Sequence, residues 1–345
     1  REWFDDPLVQ ALFAFDSIVG TWASPEMPGT GYVLLHHLFG EVNGRKGAWG
    51  HALGGMGAIT QAMAAAASEA GARIRLEAPV QRVLVDSGRA VGVRLESGEE
   101  LHAPLIVANV GPKLLFTRLV AREDLPEGLE RRMAQYRTGS ASFRMNLALS
   151  GLPRFAAHPG PGPHLASGII LAPSIDWMDR AYTDSRTHGW SRAPVLELLI
   201  PSLLDDSLAP PGAHVMSVFA QHFAPTLPDG RPWEAARVAA VETILETIER
   251  FAPGFRTLVV GQLALSPADL EERFGLVDGD IFHGQMGLDQ LWAARPFPGA
   301  GDHRMPLNGL WLCGSGAHPG GGVTGLPGRN AARAILKARR RALDA

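Results

Sequence analysis

The stretch Leu310-Trp311-Leu312-Cys313-Gly314-Ser315-Gly316-Ala317-His318-Pro319-Gly320-Gly321-Gly322-Val323-Thr324-Gly325-Leu326-Pro327-Gly328-Arg329-Asn330-Ala331-Ala332 reads as a buried strand, a glycine-rich turn and the start of a helix. That layout gathers free backbone N–H groups and a helix N-terminus around one concave spot. Such a spot suits a phosphate, or an electron-rich ring edge that gains negative charge on reduction. Glycine is needed where the main chain must touch a ligand, because a Cβ would hold it off. Pro327 fits the first helical turn, where a missing N–H costs nothing. A tight turn that binds nothing is the plainer alternative. Six glycines within the twelve residues from Gly314 to Gly325 favour the ligand.

Outward from this stretch, no GxGxxG follows any predicted strand. The nearest approaches, Gly29-Thr30-Gly31 and Gly54-Gly55-Met56-Gly57, lack the spacing. The sequence opens at Arg1, without methionine, inside an apolar-rich segment (Trp3, Phe4, Leu8, Val9, Leu12, Phe13). The expectation is therefore that this is the rear portion of a longer protein.

The 345 residues suit two domains or one composite unit, and 46% hydrophobic content is ample for a core. A net charge of −3 gives no electrostatic case for nucleic acid. The one cysteine, Cys313, excludes an internal disulfide and a cysteine metal cluster, and is read as a packing residue in a buried strand. No apolar run reaches membrane-spanning length. A cytoplasmic place is the default expectation, with peripheral membrane contact and homo-oligomerisation left open.

Apolar spacing predicts helix over residues 1–24, loop over 25–50, and a helix from Met56 to Ala70 closed by Gly71. Strands are expected at Arg73–Leu76, Val80–Val85, Ala90–Leu95 and Leu101–Val110, with turns at Ser87-Gly88 and Ser97-Gly98. The last strand reads as covered on both faces. Another helix starts after Gly111-Pro112. From residue 121 to 300 the strands alternate more: Phe143–Leu149, Gly168–Ala172, Val195–Pro201 and His214–Phe223, with a long helix Trp233–Phe251. This block reads as an antiparallel sheet with helices on one side.

Three stretches resemble one known family. They are Gly54-Gly55-Met56-Gly57-Ala58-Ile59-Thr60-Gln61-Ala62, then Gly71 to Val83 with Val107-Ala108-Asn109, and Gly314 to Val323 through Asn330-Ala331-Ala332. In that order they resemble the phytoene desaturase-like (carotenoid/retinoid oxidoreductase) branch of the FAD-dependent amine oxidase superfamily. The third is specific; the first two are suggestive. The resemblance implies an α/β plus α+β fold: an incomplete FAD-binding (GR2-type) α/β domain with an inserted substrate domain of antiparallel sheet and helices. The implied segments are 1–50 (cap helix and loop of the substrate domain), 51–120 (middle of the FAD domain), 121–300 (substrate domain) and 301–345 (end of the FAD domain). A further ~100–200 residues, about one domain, are expected before Arg1.

The resemblance also implies cofactor contacts. Val80 would meet the adenine through its backbone. Gly314, Ser315, Gly316, Gly320, Gly321, Gly322 and Val323 would lie along the pyrophosphate, ribityl chain and flavin ring. The helix near Leu326 would aim its positive end at the ring. FAD is expected in the full-length protein, and this chain alone is expected to be inactive.

His318, between the turn glycines, is a candidate catalytic residue that could equally cap the turn. Asn109 is a second candidate that could simply turn the chain before Gly111-Pro112. His36-His37 read as ordinary histidines, since strand neighbours point to opposite faces. His51 could enter the site. Arg144 could bind a carboxylate or pyrophosphate, with a solvated sheet face as the plainer reading. Trp49, Trp292 and Trp311 could line a tunnel or serve as core anchors. Asp205-Asp206 and Glu271-Glu272 read as solvated. There is no GxSxG, HExxH, CxxC or Walker loop. The leading expectation is hydride transfer from a small hydrophobic or unsaturated substrate to flavin. The alternatives are a flavin-dependent isomerase without net redox, and a scaffold that lost its cofactor.

Overall fold

The computed structural model describes residues 1–48 and 50–343. In chain order its main elements are α1 (Pro7–Phe15), α2 (Thr30–Leu38), α3 (Met56–Glu69), β1 (Val80–Asp86), β2 (Arg89–Leu95), β3 (Glu100–His102), β4 (Ile106–Ala108), β5 (Ser142–Leu149), β6 (Ile169–Leu171), α4 (Ile175–His188), β7 (Val195–Leu199), β8 (His214–Gln221), α5 (Trp233–Phe251), β9 (Val259–Leu265), β10 (Leu310–Leu312) and α6 (Leu326–Leu343). They form two compact units, one of residues 1–74 with 141–269, the other of residues 75–140 with 270–345. Both helices and sheets contribute, so the class is mixed α/β.

Unit 1 is built on one antiparallel sheet in the order β9-β5-β8-β7-β6. Alternation along β5 puts Phe143, Met145, Leu147 and Leu149 on one buried face. They join Ala236, Ala240, Ile244 and Ile248 of α5, a four-residue spacing that makes one helical stripe. Each fully buried Leu, Ile, Phe or Met side chain there contributes about 1.5–3 kcal/mol. At one end of this core Trp233 Nε1 donates to Ala224 O at 3.0 Å.

Unit 2 holds an antiparallel β1-β2-β3 sheet and a parallel β10-β4 pair. Ser87 (φ +49°) and Gly88 (φ +75°) make the left-handed two-residue turn that suits a twisted hairpin. Ala90 N donates to Asn308 O at 2.8 Å and Ile106 N to Gly309 O at 2.8 Å, tying the meander to the approach to β10. Leu115, Phe116, Met133, Leu310 and Leu312 form its core.

Several expectations are corrected. The first helix spans only Pro7–Phe15, started by Asp6 Oδ1, which accepts from Leu8 N (2.7 Å) and Val9 N (3.2 Å). Turns and Gly20 (φ +84°) replace helix up to residue 24. The 25–50 passage contains α2, entered from Gly29 (φ +100°). Arg73–Leu76 is not a strand: no neighbouring strand pairs with it, and Leu76 is 80% exposed. Leu101–Val110 is two short strands separated at Pro104, which has no N–H for a ladder. Val107 is 46% exposed, so β4 is not covered on both faces. Cys313 lies just past β10 and is half-buried. α3 forms as expected, and Gly71 (φ +90°) closes it, with Ala72 N donating to Ala67 O at 2.9 Å. No helix among the described residues is long and apolar enough to cross a membrane.

Candidate functional site

The glycine-rich turn is shaped by close approach. Gly314 sits at φ +82°, and a Cβ there would lie 1.8 Å from Asn109 Oδ1. A Cβ at Gly316 would come within 2.6 Å of Pro112 Cδ, and one at Gly321 within 2.7 Å of Phe282 Cδ1. These glycines let the turn press onto the end of β4 and onto Phe282. The next stretch is open instead. A Cβ at Gly325 would meet nothing within 4 Å, and one at Gly322 (φ +137°) only Thr324 Cγ2 at 3.7 Å. Val323 stands in the left-handed region (φ +57°) and is 71% exposed. That conformation costs a β-branched residue about 1–3 kcal/mol.

Both ends of the turn are fixed. Cys313 N donates to Ala108 O at 2.8 Å, continuing the β10-β4 ladder. Thr324 Oγ1 accepts from Leu326 N at 3.2 Å, and Pro327 occupies the first turn of α6. Open backbone followed by a helix N-terminus is the arrangement that receives an anion or a ring edge.

The structure brings Asn109 to Gly314, beside the candidate turn. Asn109 is exposed. His318 is half-buried within the turn, and its Nδ1 is buried without a hydrogen-bond partner among the described residues. Val80 begins β1 at a register slip (Val80 opposite Leu95, Arg82 opposite Arg94). His37 Nε2 bonds Val19 O at 3.0 Å, and His36 and His37 lie on α2. His51 is exposed, and Trp311 is a core residue of β10 beneath Arg304. Asp205 caps a turn by accepting from Gly54 N at 2.6 Å and Ser207 N at 3.0 Å. Trp49 lies outside the described residues. No group of three or more metal-ligating side chains occurs among the described residues.

One charged anchor escaped the sequence reading. Arg295 is fully buried. Its Nε donates to Ser315 O at 2.7 Å, Nη1 to Gln290 O at 2.9 Å, and Nη2 to Phe282 O and to Gly284 O at 3.1 Å. One guanidinium thus ties the turn to the 282–290 loop. Asp280 is also fully buried, accepts from Phe282 N at 2.8 Å, and is pushed up to about 6 by burial, against the pull of backbone N–H groups and Arg295. Burial, then Arg295, drives His283 down to about 4, so its ring is neutral near pH 7. Tyr136 donates to His283 O at 3.1 Å, and burial raises its phenol to about 12. The signal was a charge set in an apolar run, Ala294-Arg295-Pro296-Phe297, but it names no partners.

The family model "Flavin containing amine oxidoreductase" matches residues 4–172. The chain is 42% identical over 344 residues to pyridine nucleotide-disulfide oxidoreductase domain-containing protein 2 of Rattus norvegicus, covering 97% of this chain and 59% of that protein. It is 29% identical over 284 residues to phytoene desaturase (neurosporene-forming) of Cereibacter sphaeroides, covering 81% of this chain and 52% of that one. The chain therefore spans just over half the length of these relatives. An oxidoreductase from Methanosarcina mazei shares the fold with a TM-score of 0.62 at 18% identity, over 96% of this chain and 68% of that one. The glycine turn lies beyond the matched family segment, and the 344-residue alignment runs nearly the whole length of the chain. In sequence, the chain is related to the FAD-dependent amine oxidase superfamily.

Proposed function

We propose that this chain forms part of an FAD-dependent oxidoreductase that takes hydride from a hydrophobic or unsaturated substrate. The observation that carries this reading is the open, left-handed glycine turn running into the N-terminus of α6. Its residues fit the cofactor: Gly322 and Gly325 leave uncluttered backbone, and His318 Nδ1 is a buried atom awaiting a partner. When bound, FAD supplies a two-electron acceptor for a hydride leaving a substrate C–H bond. The chain's own groups bind and orient. The backbone from Gly320 to Val323 and the first turn of α6 would hold the anionic and ring portions. Arg295 keeps that backbone in place through Ser315 O. Asn109 and His318 are the side chains nearest this role, and Val80 remains the proposed adenine contact. The desaturase-like substrate class is supported by the 29% identity to a phytoene desaturase.

The test is the absorption spectrum of the purified chain beside that of the protein with its upstream sequence included. Flavin bands in the longer protein, with or without bands in the chain, support the proposal. No flavin in either, even after added FAD, overturns it.

A further inference from the structure

In unit 1 the sheet face opposite α5 is only partly covered. Cross-strand pairing sets Leu265, Arg144, Phe219, Glu197 and Ile170 in one row on that face. Leu263 and Leu199 stand in the next row, with Leu263 47% exposed. Arg144 is half-buried in this apolar setting and lies 4.6 Å over the Phe219 ring. Its hydrogen bond among the described residues is from Nη2 to Ser217 Oγ at 3.2 Å, which leaves most of its five donors open. The carboxylate in its own row, Glu197, is two strands away, about 10 Å at the strand spacing of a sheet. Arg144 therefore has no ion-pair partner among the described residues. Burial lowers its pKa and Glu197 offsets this only from a distance, so the cation is partly withdrawn from water without a carboxylate in contact, which is unfavourable.

A second observation lies one row along on the same face. Gln221 pairs with Ser142 and Val195, is 1% exposed, and has no hydrogen-bond partner for Nε2 or Oε1 among the described residues. Buried amides are almost always satisfied. Glu197 and Asp16 bear on the same region. Burial, then Asp16, raises the Glu197 pKa against the pull of Arg144, and burial raises that of Asp16.

We propose that Arg144 and Gln221 bind the carboxylate of a long apolar acid whose chain lies over Phe219, Leu199 and Leu263. The planar fork of arginine matches a carboxylate, and the amide supplies a further donor. This inference deepens the hydrophobic-substrate reading above and rests on it.

The test titrates the purified chain with dodecanoate and with dodecanol, below their aggregation concentrations, by tryptophan fluorescence. Dodecanoate is expected to bind about tenfold more tightly than dodecanol. Arg144→Gln is expected to abolish that preference and Arg144→Lys to keep part of it, with dodecanol affinity unchanged in both. Circular dichroism verifies folding; should Arg144→Gln fail to fold, Gln221→Leu is expected to weaken the acid alone. Equal affinity for acid and alcohol, a preference that survives the variants, or no binding of either overturns the proposal. Flavin content of the longer protein, measured separately, decides the hydride-transfer reading independently.

Discussion

At position 314 even one methyl group has no room. It would collide with Asn109 Oδ1 and would force an L residue to φ +82°. Gly314→Ala should therefore cost about 1–3 kcal/mol of stability and lower the flavin absorbance per polypeptide of the cofactor-loaded protein. Unchanged denaturant midpoint and flavin content would refute the close-approach account. His222 gives a different residue-scale prediction. It is 1% exposed, both ring nitrogens lack hydrogen-bond partners among the described residues, and burial drives it down to about 3 from its ordinary 6.5. The unfolded chain thus binds more protons than the folded one between pH 3 and 6.5, and stability falls as the pH drops through that window. The stake is on the order of a few kcal/mol. His283, lowered to about 4, acts with the same sign. Asp280, raised from 3.8 to about 6, acts against it, because its contribution is lost as the pH rises. His222→Asn removes the largest of the three and suits the local φ of +63°. Urea unfolding at pH 7 and pH 4.5 should show a smaller acid loss in this variant than in the unchanged chain. An equal loss would show that the ring does not titrate as described.

Elements were legible where the local pattern was strong. α5 matches its predicted span, Trp233–Phe251, because its apolar stripe recurs every four residues over five turns. Ile244→Ala, at the centre of that stripe and 0% exposed, should destabilise unit 1 by about 2–5 kcal/mol, measured by chemical denaturation. A change below about 1 kcal/mol, within the range of a mere Ile→Val loss, would mean that the helix is not packed as described. Other elements were not legible. α4 is largely polar, and its start rests on Ser174 Oγ accepting from Trp177 N at 3.1 Å. α2 grows out of glycine-rich sequence that favours loop. β9 is an edge strand whose register shifts between Val259 and Gly261, which blurs the two-residue period.

For the whole molecule, cofactor binding is a linkage effect. FAD at one hundred times its dissociation constant should stabilise the longer, flavin-binding protein by about 2.7 kcal/mol, seen as a concentration-dependent rise in melting temperature. No rise across that range would argue against the flavin reading. The sequence by itself determined the strand, glycine turn and helix at its end, the mixed α/β class and the family, because these signals sit within short windows of chain. It marked Gly314 and Asn109 separately. Only the tertiary structure decided that the two touch, that Arg295 binds Ser315 to the 282–290 loop, and that Arg144 has no carboxylate in contact among the described residues. The reason is distance along the chain. Asn109 and Gly314 are separated by roughly two hundred residues of sequence, and a contact across that separation is set by packing of whole units, which no local period of apolar residues records.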